Sequence, residues 1–479
     1  MALTGFFDVR RLANKMECAG EIPGNREMYS TYLRLAIPSV LEMVLISLIN
    51  MMDTVMVSSI GTDAVAAVGL VGQPRLIMLC AFFALNTGIT AVIARRRGEE
   101  RQKDAGAVMR TSILIMLGMS AVLMAIMLPL ARPLMRFAGA EEGRTLEDAT
   151  AYFTILVLAL PFNALSMGIC AAQRGCGNTK LTMYVNIASN LVNILFNWLL
   201  INGIGPFPRL EVKGAAIASA IGLFVGFVLS LLSLFKGGDK AFLHLSLKDD
   251  WRFSTVAARD LTRVASSAMV EQLCMRIGFF AYAKIVAGLG TDAFAAHQIC
   301  MQFLNLSFSF ADGFGIAGTS LVGQMLGRKR QDLAHLYGIL AQRFALSVAV
   351  MLGLFCILGR NLLVSMFISQ NANAGVKELA AYVMMVVGVI QPFQMLAVVI
   401  SGALRGAGDV KYTAKVMLLT VSVMRPILAL SAVYIVGTLL KRSDLALIGC
   451  WCAALIDMAL RMVLMNRRYK SGKWHGIRV

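Results

Sequence analysis

The sequence predicts an all-α integral membrane protein with twelve transmembrane helices, arranged as two related lobes of six. Three observations predict it. Apolar residues make up 58% of the 479 and charged residues only 15%, against the roughly 25% charged residues of a soluble globular chain. The apolar residues gather into blocks long enough to cross a bilayer as helices, which takes about 20 residues each. The second half of the chain also repeats residues of the first half, in the same order.

The first six blocks cover residues 35–60, 64–94, 107–130, 150–172, 181–201 and 214–235. The second six cover 261–289, 293–326, 336–358, 379–404, 413–440 and 445–465. Several exceed the thickness of the hydrocarbon core, which predicts tilted helices or helices that run past the headgroups. The blocks divide the chain into a cytoplasmic N-terminal arm (1–34), a first lobe (35–235), a cytoplasmic linker (236–260), a second lobe (261–465) and a cytoplasmic basic tail (466–479). The arm is charged and mixed, without a signal-peptide pattern.

The formal charge of +18 could point to nucleic acid, but its placement argues otherwise. With the N-terminus in the cytoplasm, Lys and Arg concentrate in the connections on the cytoplasmic side. This positive-inside bias puts both termini there. The expected partner of the basic excess is the anionic lipid surface, and no nucleic-acid partner is expected. The nine cysteines are scattered through apolar blocks without a CxxC pair, and read as small apolar fillers. Four histidines, His244, His297, His335 and His475, lie far apart in the chain, so no metal site is expected. Gly313, Gly315 and Gly318 spell GxGxxG inside an apolar block with no preceding strand, which fits helix packing and not a dinucleotide loop. No Walker P-loop is present, against a self-contained ATP-driven pump. No paired-Asp or His-rich motif lies at a membrane face, so the chain is not read as an enzyme.

The repeat is detailed. Glu42 aligns with Glu271, and Gly61-Thr62-Asp63-Ala64 with Gly290-Thr291-Asp292-Ala293. Arg174-Gly175-Cys176-Gly177-Asn178 aligns with Arg405-Gly406-Ala407-Gly408-Asp409, and Thr182 with Thr413. Six helices is an even number, so both halves insert with one orientation, related by an axis along the membrane normal. Paired lobes of this kind suit a transporter that rocks around a central site, although channels and membrane enzymes also duplicate.

Charges inside the spans mark the candidate chemistry, because a carboxylate at the bilayer centre costs about 2.5–3.5 kcal/mol on insertion scales and needs a partner or a wet cavity. Glu42, Asp53, Glu271, Asp312 and Asp457 qualify. Glu42 and Asp53 share one face of the first span, about three turns apart. A buried carboxylate there can carry a proton or bind Na⁺, or it can serve as a structural group bonded to a neighbouring helix. In the fifth span Asn186, Asn190, Asn193 and Asn197 form one stripe. Such a stripe can supply carbonyl oxygens to a hard cation, hold carboxylates in place, or join helices. The repeat positions in the second half are Met417, Val421, Met424 and Leu428, and Asp53 is matched by Tyr282. The polar stripe is thus confined to the first lobe. Asp457 and Arg461 sit four residues apart on the last span, as an ion pair.

At these residues the chain resembles the multidrug and toxic compound extrusion (MATE) family. The matching pieces are Pro38, Asp53-Thr54-Val55, the segment 61–67 followed by Val68-Gly69-Leu70, the two RGxG loops, and the ending Lys470-Ser471-Gly472-Lys473-Trp474. The resemblance covers nearly the whole chain. It implies a V-shaped pair of six-helix lobes in a bacterial inner membrane, performing cation-coupled antiport of organic cations with Na⁺ or H⁺ as coupling ion and no cofactor. It implies a first-lobe ion site of Asp53, Asn193 and Asn197, with Ser219 as the hydroxyl partner from the sixth span; Asn190, from the polar stripe, is the further candidate beside them. Glu271 matches an acid found early in the seventh span. Glu42, Glu271, Tyr282 and Arg276 are the expected substrate-cavity residues. The tenth span carries no carboxylate, which leaves a second-lobe cation site without its acid. Arg75, Arg276 and Lys284 add positive charge that disfavours a simple cationic drug. The expected function is export of amphipathic drugs or metabolites by a monomer working through alternating access. The alternative is a flippase for a lipid-linked precursor.

Overall fold

The computed structural model describes residues 8, 19–235, 242–246, 249–366, 374–439 and 443–477. Half of the expected N-terminal arm (residues 1–7 and 9–18), residues 236–241, 247 and 248 of the linker, and the last two residues of the tail lie outside the described residues. Among the described residues every regular element is a helix. In chain order these are α1 (Asn25–Ser58), α2 (Thr62–Gly98), α3 (Gln102–Phe137), α4 (Arg144–Leu158), α5 (Leu160–Gly175), α6 (Thr179–Asn202), α7 (Glu211–Phe235), α8 (Thr255–Ala287), α9 (Thr291–Gly327), α10 (Gln331–Leu358), the short α11 (Arg360–Ser365), α12 (Ala374–Gly406), α13 (Val410–Met417), α14 (Arg425–Ala432) and α15 (Ser443–Lys470).

Among the described residues, nine helices are individually long and apolar enough to cross a membrane. A tenth span is α4 with α5, bent by 50° at their junction, where Pro161 in the first turn of α5 cannot continue the hydrogen-bond ladder of α4. Helices α8 and α9 complete the twelve of the expected fold. Both dilute their apolar side chains, α8 with Glu271, Arg276 and Lys284 and α9 with His297, Asn305 and Asp312. The eleventh span is continuous but irregular, with π-helical turns at Leu418–Met424 and Val433–Leu439 on either side of α14. Pro426 stands just after the first widened turn. A proline there removes a donor and crowds the carbonyl four residues back, and a π turn relieves both.

The chain forms two compact units, Leu41–Met269 and Met1–Val40 with Val270–Val479. Helix α1 therefore contributes its first part, through Val40, to one unit and the remainder to the other. In the second of these units Met28, Tyr32, Leu35 and Ala36 are buried among residues of α9, α10, α12 and α15, and the Tyr32 hydroxyl donates to the Phe314 carbonyl at 3.2 Å.

Each unit repeats the other's joints. Thr90 of α2 donates to the Ala171 carbonyl of α5 at 3.0 Å, and Thr319 of α9 donates to the Gly402 carbonyl of α12 at 2.7 Å. The RGxG turns need their second glycine for backbone conformation, since Gly177 and Gly408 have φ of 85° and 86°, where a side chain is strained. The first glycine is needed for space. A Cβ on Gly175 would lie 2.8 Å from the Thr90 carbonyl oxygen, and one on Gly406 2.2 Å from that of Thr319. In the Leu41–Met269 unit, Gly222 lets α7 press against α6, where a Cβ would lie 2.8 Å from the Ser189 carbonyl oxygen and 2.9 Å from the Asn193 Cβ. The Ser189 hydroxyl donates to the Gly222 carbonyl at 2.7 Å and fixes the pairing. This approach sets Asn193 of α6 opposite Ser219 of α7.

Candidate ion site in the Leu41–Met269 unit

Helix α1 supplies Asp53, which is half-buried, and α6 supplies Asn193 and Asn197, both buried. The Asn197 amide donates to Asp53 Oδ1 at 2.9 Å. With its nitrogen turned to Asp53, Asn193 donates to Oδ1 and Oδ2 at 3.1 and 3.2 Å, and its carbonyl accepts from the Ser219 hydroxyl and backbone N–H at 3.2 and 3.1 Å. The opposite orientation sets acceptor against acceptor, so the donating orientation is the physical one. The Tyr152 hydroxyl of α4 bonds to Ser219, and Arg75 of α2 acts on Asp53 through its charge. The structure therefore brings Asp53, Asn193, Asn197 and Ser219 into one hydrogen-bonded group. Asn197 Oδ1 is buried and without a partner. Together with the carboxylate it presents oxygen donors, the kind that hard cations take.

The rest of the asparagine stripe divides. Asn190 donates to the Asn186 carbonyl of its own helix at 2.7 Å, and no hydrogen bond links it to Asp53. Asn186 donates to Glu42 Oε1 at 2.6 Å. Glu42 is fully buried, and it also accepts from Arg174 Nη1 and the Thr182 hydroxyl, each at 2.9 Å.

Glu271, in the other unit, takes the equivalent arginine and threonine but has no counterpart of Asn186. It accepts from Arg405 Nη2 at 3.0 Å and from the Thr413 hydroxyl at 2.9 Å. Tyr282 is buried among apolar residues of α9, α12 and α15, with its hydroxyl unpartnered. Arg276 is half-buried, and its Nε is unpartnered. Glu42 and Glu271 are each enclosed by an arginine and a threonine of their own unit, and Tyr282 is part of a core.

Sequence reasoning missed the roles of Arg174, Thr182, Arg405 and Thr413, although the signal was present. An acid, a base and a hydroxyl recur together in both halves, which is what a duplicated contact leaves behind. Tyr152 had no such signal. The Asp457–Arg461 pair is present at 2.8 Å, but Arg425 joins it, with Nε at 2.8 Å from the same carboxylate oxygen.

The comparisons with known proteins agree with this architecture. The MatE family model matches residues 38–199 and 267–430, one stretch in each half. The chain is 26% identical over 457 residues to a probable multidrug resistance protein NorM of Thermotoga maritima, covering 95% of this chain and 94% of that one. It is 25% identical over 449 residues to the multidrug resistance protein NorM of Vibrio cholerae, with 92% and 94% covered. Among solved structures, it superposes on the outward-facing conformation of a multidrug resistance MATE family transporter of the MOP superfamily with a TM-score of 0.83 at 22% identity, covering 92% and 96%. Against MATE in complex with MaL6 the TM-score is 0.85 at 22% identity, covering 93% and 97%. Matched by its model over one long stretch in each half, the chain belongs to the MatE family of membrane transporters.

Proposed function

We propose that the protein is a cation-coupled antiporter that exports amphipathic drugs or metabolites by alternating access. It lies in the bacterial inner membrane as a monomer, with both termini in the cytoplasm. The observation that carries this reading is the Asp53 group. A carboxylate inside a spanning helix is held by two asparagine amides, beside an unpartnered carbonyl oxygen. Na⁺ bound among these oxygens, or a proton on Asp53, neutralises the carboxylate. That change removes the charge the asparagine donors hold, so ion entry shifts the balance between conformations that bind and release substrate. The names of the relatives support a drug-like substrate class. The Glu42 and Glu271 clusters are read here as anchors, each tying its span to an RGxG turn.

The test is ethidium efflux from loaded cells and inverted vesicles, wild type against Asp53→Asn, with Na⁺ and pH gradients imposed separately. Gradient-driven efflux that is lost in the variant is the expected result, and the effective gradient identifies the ion. Full activity of Asp53→Asn overturns the assignment. Absence of efflux under either gradient, with the protein present in the membrane, overturns drug export and turns attention to a lipid-linked substrate.

A further inference from the structure

The second repeat carries its own polar cluster, of opposite character to the Asp53 group. Asp457 of α15 is fully buried, and two buried arginines converge on one of its oxygens. Arg425 Nε and Arg461 Nη2 each stand 2.8 Å from Oδ2. Two guanidiniums and one carboxylate leave one positive charge inside a spanning unit. The nearby carboxylate of Glu271, which acts electrostatically on Arg461, is already committed to Arg405 and Thr413. Isolated charge inside a membrane protein is costly and marks a functional place.

A chain of packed rings with unsatisfied polar atoms leads away from this charge. The Arg425 guanidinium lies over the Phe279 and Tyr282 rings, at 5.0 and 5.7 Å. The Tyr282 ring is 5.7 Å from His297, and His297 is 5.4 Å from Trp451. Tyr282, His297 and Trp451 are each at most 3% exposed. The Tyr282 hydroxyl, Trp451 Nε1, His297 Nδ1 and Arg461 Nε have no hydrogen-bond partner. Buried polar groups are rarely left so. Trp Nε1 and the guanidinium nitrogens can only donate, and a tyrosine hydroxyl is free to donate. Asp457 Oδ1 is the one unpartnered carboxylate oxygen in the group, so donors outnumber it. Tyr282 also stands where the repeat places Asp53 in the first half. The second copy has exchanged the carboxylate for a donor and gained a cation.

We propose that Arg425, Tyr282, His297 and Trp451 form a binding site for a small monovalent anion, a halide ion or the carboxylate group of a small acid, that balances the buried charge of the Arg425–Asp457–Arg461 triad. The site is independent of the ion at Asp53, and its test needs no transport.

Thermal unfolding of the purified protein in detergent, titrated with potassium chloride or potassium acetate against potassium gluconate at constant ionic strength, reads it directly. Gluconate is too bulky for a buried site. The expected result is a saturable rise in Tm of about 1–3 °C with chloride, acetate or both, and the arm that responds identifies the source. Tyr282→Phe and Trp451→Phe keep the rings and remove one donor each, so both should fold and shift the midpoint to higher anion concentration by about tenfold or more. Equal Tm in all three salts overturns the proposal. An anion effect of the same midpoint in both variants also overturns it, because the anion then acts elsewhere.

Discussion

Arg174 donates to the Glu42 carboxylate at 2.9 Å across 132 residues of chain, and so ties the turn that opens α6 to the middle of α1. Arg405 does the same for Glu271 at 3.0 Å, across 134 residues. Each carboxylate also takes a threonine hydroxyl from the helix after its turn. Two copies of one gene segment have kept the same buried contact while their remaining polar groups diverged.

Breaking this contact on one side only is expected to be severe. Arg174→Met leaves Glu42 buried without its cation, at a cost of about 3–5 kcal/mol. The double variant Glu42→Gln with Arg174→Met removes both charges and should recover much of the loss. Thermal unfolding in detergent distinguishes these outcomes, and a double variant as unstable as the single would mean that the charges are not coupled. Arg405→Met should behave like Arg174→Met.

The two kinds of asparagine in α6 should separate in transport. Asn197 donates to a carboxylate, a bond worth about 1.5–3 kcal/mol, so Asn197→Ala should lower coupled efflux about 10–100-fold. Asn190 donates only to a carbonyl of its own helix, and Asn190→Ala should remain within about twofold of wild type. Initial efflux rates at matched protein levels in vesicles decide between them.

Close helix approach makes the RGxG glycines intolerant of a methyl group. Gly175→Ala and Gly406→Ala each set a Cβ against a backbone carbonyl, which cannot swing aside as a side chain can. Overpacking costs about 1–3 kcal/mol. Gly406→Ala, with the shorter contact, should lower Tm more than Gly175→Ala.

The C-terminal tail docks through aromatic stacking. Trp474 is fully buried, its ring 5.0 Å from Tyr469 and its Nε1 donating to the Tyr469 carbonyl at 2.7 Å. His475 lies edge-on to Trp474 at 4.1 Å, and burial lowers its pKa from the ordinary 6.5. A lowered folded-state pKa means that the proton favours the released tail. The docking is whole above the unfolded value and weakens as pH falls through the folded one. Hydrogen exchange across the tail, corrected for intrinsic rates, should show protection at about pH 7.5 that declines toward pH 5.5. His475→Gln should flatten that decline.

The sequence by itself determined the membrane class, the twelve spans, the duplication and the family resemblance. These follow from composition, block length and repeated residues, which are local or periodic properties that a bilayer enforces on any chain crossing it. It also singled out Asp53, Asn193, Asn197 and Ser219, because polar groups in apolar spans are rare enough to be conspicuous. Only the tertiary structure decided which of them meet. Helical spacing puts all four asparagines on one stripe, yet Asn186 turns to Glu42, Asn190 to its own backbone, and Asn193 and Asn197 to Asp53. That division depends on how far along α6 each part of α1 passes, and on Gly222 drawing α7 close. The third member of the Asp457 cluster was hidden for the same reason. Asp457 and Arg461 are one turn apart on a single helix, whereas Arg425 arrives from another helix, at a distance fixed by packing and by the π turn before Pro426.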